Sequence, residues 1–394
     1  MLLTPLQQVV TSTLTNYRGQ NLETQLRYGS FIPIKSEKGG LRFQPGVDDR
    51  TFQRMLKELS TIVEPKVVQS RVDIQDEVHH IIYPDGNEEW FRKSKPYLTQ
   101  DVPEYNLRLS IAPKYALDEK PPNFSPSFYR DKKRYSYYFA GGMVKVDLTE
   151  VRSSQGNKIS YEIEVKPVDA TKFSLFSKAV ESVLMIIQNT LVLYTNRDKD
   201  EVRTYLYNLV NYSPVKAYLD SRLFNSQRQL KLKDMVWGSL IGNPKSGYVV
   251  SHWPDADRCM LLFAPNGLWL LGPKVGYIRL TADVYPTMTG TLIDGYLVSN
   301  QEKRKQGAPN NKYWFLVTDL VVQQGDTGIQ QQPHQNRMRM AQTLVDRFRI
   351  PSLAINTMSF YSFNTVDHFY QVMNNMFERQ GVLTYAYRGF LFTP

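Results

Sequence analysis

The segment ISYEIEVK (Ile159–Lys166) puts a charge at every second position, with an apolar or aromatic residue between each pair. On a β-strand residues i and i+2 face the same side. Glu162, Glu164 and Lys166 therefore share one face, and Tyr161, Ile163 and Val165 the other. A row of charges cannot enter an apolar core without neutralising partners, so that face meets water or a polar cavity. LETQLRYG (22–29) repeats the pattern with Glu23, Gln25 and Arg27 on one face, and RDKKR (130–134) places Arg130, Lys132 and Arg134 in register. Further cations stand at Arg92, Lys95 and Arg108. Closed into a barrel, such strands would line a lumen with carboxylates and cations. Left open, they would form a solvent-facing antiparallel sheet with cross-strand ion pairs. The alternation alone fits both.

The surrounding chain is strand-rich from Tyr17 to Pro167. VVQSRVDIQDEVHHIIY (67–83), EEWFRKSK (88–95), YNLRLSIA (105–112), KRYSYYF (133–139) and MVKVDLTEV (143–151) show stretches of period-two alternation bounded by Gly, Pro and Asn. One helix interrupts them, DDRTFQRMLKELSTIV (48–63), with Phe52, Met55, Leu56 and Leu59 at helical spacing and an acidic start. FSLFSKAVESVLMIIQNTLVLY (173–194) reads as a buried helix, and the polar, helical stretch 198–235 as the join between domains. Strands resume in SGYVVSHW (246–253), RCMLLFAPNGLWLLGP (258–273), GYIRLTADV (276–284), GTLIDGYLV (290–298) and NKYWFLVTDLVV (311–322). APNG reads as a hairpin turn, 323–340 as a polar loop, and AQTLVDRFRI (341–350) and VDHFYQVMNNMFERQG (366–381) as closing helices.

The 394 residues allow two domains. No run approaches the 18 apolar residues of a membrane span, and the N-terminus lacks the features of a signal peptide. Cys259 is the only cysteine, which excludes an intramolecular disulfide and any multi-cysteine metal site and fits a reducing compartment. A net charge of +10 favours a polyanionic partner, nucleic acid or nucleotide, over a basic surface kept for solubility. The aromatics of YRDKKRYSYYF (129–139) could stack bases or simply suit a strand. His79 and His80 are adjacent on a strand and face opposite sides, so they read as structural or surface residues.

NLETQLRYGSF (21–31) with FQPGVDDRTFQRML (43–56), then RDKKRYSYYF (130–139), VKVDLTEV (144–151), YEIEV (161–165) and LMIIQNT (184–190), resemble in order the strands and helices of tunnel-type RNA triphosphatases in the mRNA capping enzymes of large DNA viruses. The resemblance implies an α+β protein: an antiparallel eight-stranded tunnel barrel (1–215), then a nucleotidyltransferase-like α/β domain (230–394) without an OB-fold lid. It implies metal ligands and catalytic residues at Glu23, Glu162 and Glu164, a phosphate clamp of Arg27, Arg108, Arg130, Lys132 and Arg134, and Mg²⁺ or Mn²⁺ as cofactor. A 5′-triphosphate RNA or NTP would be the substrate, other viral transcription or capping proteins the partners, and the host cytoplasm or virion the location. The family's first strand reads E-x-E, and here Gln25 replaces the second acid. Lys166 stands where relatives often carry a further acid.

GYVVSHWPDADRCMLLFAPNGLWLL (247–271) resembles the guanylyltransferase segment that carries the nucleophilic lysine in K-x-D-G. By that frame Trp253 falls on the lysine, Asp255 on the aspartate, Ala256 on the glycine and Arg258 on a following arginine. Indole cannot form a phosphoramidate, and Lys245 precedes the strand instead of following it. Asp294-Gly295 resembles the family's D-G-E strand with Tyr296 in place of glutamate. Thr318-Asp319 resembles a Phe-Asp pair, and Gln380-Gly381 an acid-glycine pair. The nucleotide-site remnants are then Asp255, Arg258 and Asp294, with guanylyl transfer expected to be absent.

Overall fold

A computed structural model describes residues 4–34, 39–168, 172–212, 229–234, 236–242, 247–299, 313–350, 353–378, 383 and 385–394. Lys245 and Gln380-Gly381 lie outside them. The chain divides into two compact units, Met1–Arg197 and Asp198–Pro394, where the sequence placed the first domain's end at 215.

The first unit holds α1 (Thr4–Asn16), β1 (Leu22–Pro33), β2 (Leu41–Pro45), α2 (Asp49–Ser60), β3 (Lys66–Gln75), β4 (Val78–Ile82), β5 (Glu88–Lys93), β6 (Leu98–Val102), β7 (Leu107–Leu117), β8 (Phe128–Phe139), β9 (Val144–Ser153), β10 (Gly156–Pro167) and α3 (Phe173–Gln188). Neighbours run β1-β10-β9-β8-β3-β4-β5-β7, and β7 pairs back to β1, closing eight antiparallel strands into a barrel. Closure decides between the two readings of the alternating charges: they line a lumen. β2 and β6 continue the sheet outside that ring, on β1 and β7. The sequence reading named neither, because both are five residues long and too short for a clear alternation.

Parity then sorts every strand. Leu26 and Tyr28 at even positions of β1, and Leu107, Leu109, Ile163 and Val165 at odd positions of β7 and β10, point outward and are almost fully buried. They pack with Phe52, Met55 and Leu59 of α2 and Phe176, Val180 and Leu184 of α3. The apolar core thus lies between the barrel wall and the helices, and the charged side chains lie on the inner face, among apolar ones such as Val72, Ile81 and Phe91. Burial of each such side chain stabilises the wall by roughly 1.5–3 kcal/mol. Asp48 caps α2, its carboxylate accepting from Thr51 N at 2.8 Å, a bond of about 1 kcal/mol. Arg54 of α2 donates to the carbonyls of Ile186 and Ile187 at the end of α3, at 3.2 and 3.1 Å. The guanidinium meets the negative end of that helix.

The second unit contains α4 (Asn196–Leu209), which begins at the boundary, β11 (Val249–Pro254), β12 (Asp257–Ala264), β13 (Gly267–Gly272), β14 (Gly276–Thr281), β15 (Leu292–Ser299), β16 (Tyr313–Val322), α5 (His334–Val345), β17 (Ala354–Thr357), β18 (Tyr361–Ser362), α6 (Val366–Glu378) and β19 (Tyr387–Thr393). One sheet has the order β14-β13-β12-β15-β16-β17, the other β18-β11-β19. APNG forms the expected hairpin, with Ala264 opposite Gly267. Gly267 has φ +126°, and a Cβ there would lie 2.4 Å from the Thr281 carbonyl oxygen. At Gly295 a Cβ would lie 2.4 Å from the Leu316 carbonyl oxygen. Part of the expected loop 323–340 is helix: α5 starts at His334 and ends at Val345, not at 341–350. Arg337 and Met338 are buried on it, and the polar glutamines before Pro333 hid the apolar face that follows.

Candidate functional site

The inner face of the barrel encloses a cavity of ≈ 370 Å³. β1 contributes Glu23, Gln25 and Arg27, β8 contributes Arg130, Lys132 and Arg134, and β10 contributes Glu162, Glu164 and Lys166. The structure therefore gathers seven of the eight residues expected for metal and phosphate around one space. The eighth, Arg108, does not line it. Its guanidinium forks onto Asp101 of β6 at 2.6 and 2.8 Å and lies over the Phe43 ring. Two further cations line it that were not candidates in the sequence, Lys93 of β5 and Lys114 of β7, and so does His79 of β4, expected to be structural or at the surface. Parity could have found Lys114, which follows Arg108, Ser110 and Ala112 at even spacing, whereas Lys93 lies in a basic run whose other members, Arg92 and Lys95, are exposed.

Seven basic side chains face three carboxylates in this lining, and the pairing among them is uneven. Glu23 is held between Lys93 Nζ at 2.9 Å and Lys166 Nζ at 3.2 Å. Lys166 Nζ also lies 2.9 Å from Glu164 Oε2 and 3.6 Å from Asp147 Oδ2. Asp147, on β9 opposite Glu164, is fully buried, accepts from Ser136 Oγ at 2.6 Å and pairs with Lys145 Nζ at 3.0 Å. Glu162 is ion-paired to Arg130. Arg27, Lys114, Lys132 and Arg134 form no ion pair within 4.0 Å among the described residues. Arg27 Nε and Ser110 Oγ, both on the cavity wall, are buried without a hydrogen-bond partner.

Titration follows this geometry. Burial alone pushes the Glu23 carboxyl up, but the Lys166 and Lys93 ammonium groups outweigh it and hold it at about 2. Glu164 is driven lower still: burial raises it, and Lys166 and Arg134 overcome that. Lys166 moves the other way: burial opposes its charge, and Glu164, Glu23 and Asp147 more than restore it. Lys132 has no such help. Burial, then Arg130, bring it down to about 8, with Glu162 opposing. His79 falls to about 4 through burial and the charges of Lys93, Lys132 and Arg130, so it is neutral at pH 7. These are the marks of a site short of negative charge.

The donor set does not suit a divalent cation. Each expected carboxylate ligand already holds a lysine or arginine, Gln25 brings no charge, and an ammonium group sits between Glu23 and Glu164. Among the described residues no three His, Cys, Asp or Glu side chains are grouped to hold a metal ion.

In the second unit the expected nucleotide residues are placed differently. Arg258 of β12 forks onto Asp294 of β15, with Nε 3.1 and 3.2 Å from the two carboxylate oxygens. Burial, partly offset by Arg258, raises the Asp294 carboxyl above the usual range. Asp319 is matched by Arg337 of α5 at 2.7 and 2.9 Å. Asp255 joins neither pair; it is 63% exposed, with Arg388 at 3.9 Å. Trp253 packs beside Tyr296, Trp314 and Leu316 and lies under the Arg388 guanidinium, 4.4 Å from its ring centroid. The position expected for a nucleophile carries a packing residue.

No family model matches the chain. Over 207 residues, 50% of the chain, it is 24% identical to a probable mRNA-capping enzyme of Acanthamoeba polyphaga mimivirus, and that match takes in only 16% of the enzyme's length. The RNA triphosphatase domain of a trifunctional mimivirus mRNA capping enzyme aligns over 46% of this chain and 96% of its own, at 15% identity and TM-score 0.35. The Pct1 RNA triphosphatase of S. pombe aligns over 52% and 91%, at 14% identity and TM-score 0.35. The chain is thus similar, over half its length, to a probable viral mRNA-capping enzyme of which it spans about a sixth, and its first unit is a closed barrel of eight antiparallel strands.

Proposed function

We propose that the first unit binds the 5′-triphosphate end of RNA, or a nucleoside triphosphate, inside the barrel, within a capping-enzyme-like protein whose second unit does not transfer GMP. One observation carries the reading: the cavity is lined by seven basic side chains against three acidic ones, and four of the seven lack an ionic partner among the described residues. A triphosphate is a compact anion of matching charge. Guanidinium groups bind its oxygens in forks and lysines neutralise what remains. Ser110 and Arg27 offer hydrogen-bond donors that the protein does not otherwise use. Hydrolysis of the γ-phosphate requires charge neutralisation, in-line placement and an activated water. The tunnel supplies the first, whereas the carboxylates that could orient a water are held by Lys93, Lys166 and Arg130. Binding without turnover is therefore the better-supported function. Other transcription or capping proteins are the partners this reading suggests.

The test compares short RNAs that differ only at the 5′ end. Triphosphate-ended RNA should bind at least about tenfold tighter than hydroxyl-ended RNA, the equivalent of one or two charged hydrogen bonds. Equal affinity for both ends would remove the tunnel from RNA recognition. Incubation with labelled GTP should leave no covalent adduct. An adduct lost in Lys245→Ala would show instead that a nucleophile survives.

A further inference from the structure

Resting on that reading, we infer that Lys166 takes the place of a divalent cation in the tunnel, so that the site binds a polyphosphate without metal. The ammonium nitrogen is within 2.9, 3.2 and 3.6 Å of Glu164, Glu23 and Asp147. These three acids come from three strands, β10, β1 and β9, and point at one spot. An ion of charge +2 placed there would have to displace Lys166 and would still face Lys93, on the other oxygen of Glu23, and Lys145, on the Asp147 oxygen that Lys166 approaches. Three acids against three ammonium groups leave nothing for a metal to neutralise. Gln25, the neighbour of Glu23 on the inner face, has no charge to tip the balance.

The same wall explains why the remaining cations stay available. With the acids satisfied locally, Arg27, Lys114, Lys132 and Arg134 are not drawn into internal pairs and face the cavity together. Lys166 is 14% exposed and anchored on two sides. It is therefore a fixed positive charge, and it needs no soluble ion to bridge carboxylate and phosphate. The ligand class is a linear polyphosphate anion, free or at the end of a nucleotide or RNA.

Inorganic tripolyphosphate, titrated calorimetrically into the full chain, separates the possibilities. In EDTA it should bind. Added Mg²⁺ should leave the affinity unchanged or weaken it, because Mg²⁺ complexes the free anion. Binding that appears only with Mg²⁺ or Mn²⁺ would overturn the inference and leave the triphosphate reading standing. Binding under neither condition would overturn that reading, and the inference with it. A second measurement asks the metal directly, by the loss of the free Mn²⁺ resonance on adding protein. Wild type and Lys166→Arg should retain no Mn²⁺, while Lys166→Ala should bind it about tenfold or more tightly, since a charge within ion-pair distance of its carboxylates has been removed. Wild type that binds Mn²⁺ as well as Lys166→Ala would overturn the inference, and so would wild type that binds it well where Lys166→Ala fails to fold.

Discussion

The barrel and the six-stranded sheet both set arginines beside acids from other elements, yet they use them oppositely. In the sheet the charges are matched one to one: Arg258 with Asp294, Arg337 with Asp319. Each fork joins two elements and leaves neither partner unused. In the barrel the acids are satisfied by three lysines and one arginine, and a surplus of cations remains around an open volume. Matched pairs hold a fold together. A surplus held in place by the fold leaves charge that a polyanion could neutralise. The second unit thus ties Arg258, Asp294, Asp319 and Arg337 into structural pairs, whereas the first leaves cations facing a cavity.

The largest effect should come from breaking a matched pair. Arg258→Ala leaves Asp294, 6% exposed, as a buried carboxylate without its fork, at a cost of about 3–5 kcal/mol. Chemical denaturation followed for the second unit measures it. A loss below about 1 kcal/mol would show that water enters and that the pair is not structural. The corresponding change in the barrel should behave in the opposite way. Lys132→Met removes a partly buried cation with no ion-pair partner among the described residues, so the fold should be no less stable, while affinity for triphosphate drops by about 10- to 100-fold. Loss of both stability and binding would erase the contrast between the units.

Lys132 also gives the contrast a pH signature. Its folded value of about 8 lies below the 10.5 of a free lysine, so between those values the unfolded chain carries more protons than the folded one. Stability of the first unit should therefore rise as pH goes from 8 toward 10.5, by at most about 1.4 kcal/mol per pH unit. Triphosphate affinity should move the other way, weakening above pH 8 by up to about tenfold per unit, because the anion favours the protonated lysine. In Lys132→Met both slopes should vanish. A wild-type affinity flat from pH 7 to 9.5 would mean that Lys132 does not meet the anion.

Much of this was legible in the sequence. Period-two alternation gave the inner faces of β1, β8 and β10, and with them seven of the eight expected residues, because parity alone decides which side of a strand a residue occupies. It could not show closure, which depends on β1 pairing with both β7 and β10, a fact of long-range register. It missed Lys93 because a short basic run such as RKSK offers both parities, and only the pairing with β4 and β7 selects one. Arg108 has the right parity, being opposite Arg27, but Asp101 on the unnoticed strand β6 takes its charge. The role of Lys166 was hidden for a similar reason. Its three acids lie on three strands, and only the folded barrel brings them to one ammonium group.

The smallest effect concerns Trp253, the residue at the lysine position. Its ring lies under Arg388, 4.4 Å from the guanidinium carbon, and Arg388 is 47% exposed. A cation over an indole at an exposed site is worth roughly 0.5–1 kcal/mol, and the long contact to Asp255 adds little in water. Arg388→Ala should therefore lower stability by no more than about 1 kcal/mol, and Arg388→Lys by less. Trp253→Ala should cost more than either, because the indole also packs against Tyr296 and Trp314. If Arg388→Ala equals Trp253→Ala, the indole is there to hold the arginine. If it is the smaller, as the packing requires, apolar contact with the cluster that contains Tyr296 and Trp314, and not the arginine, accounts for most of what the indole contributes.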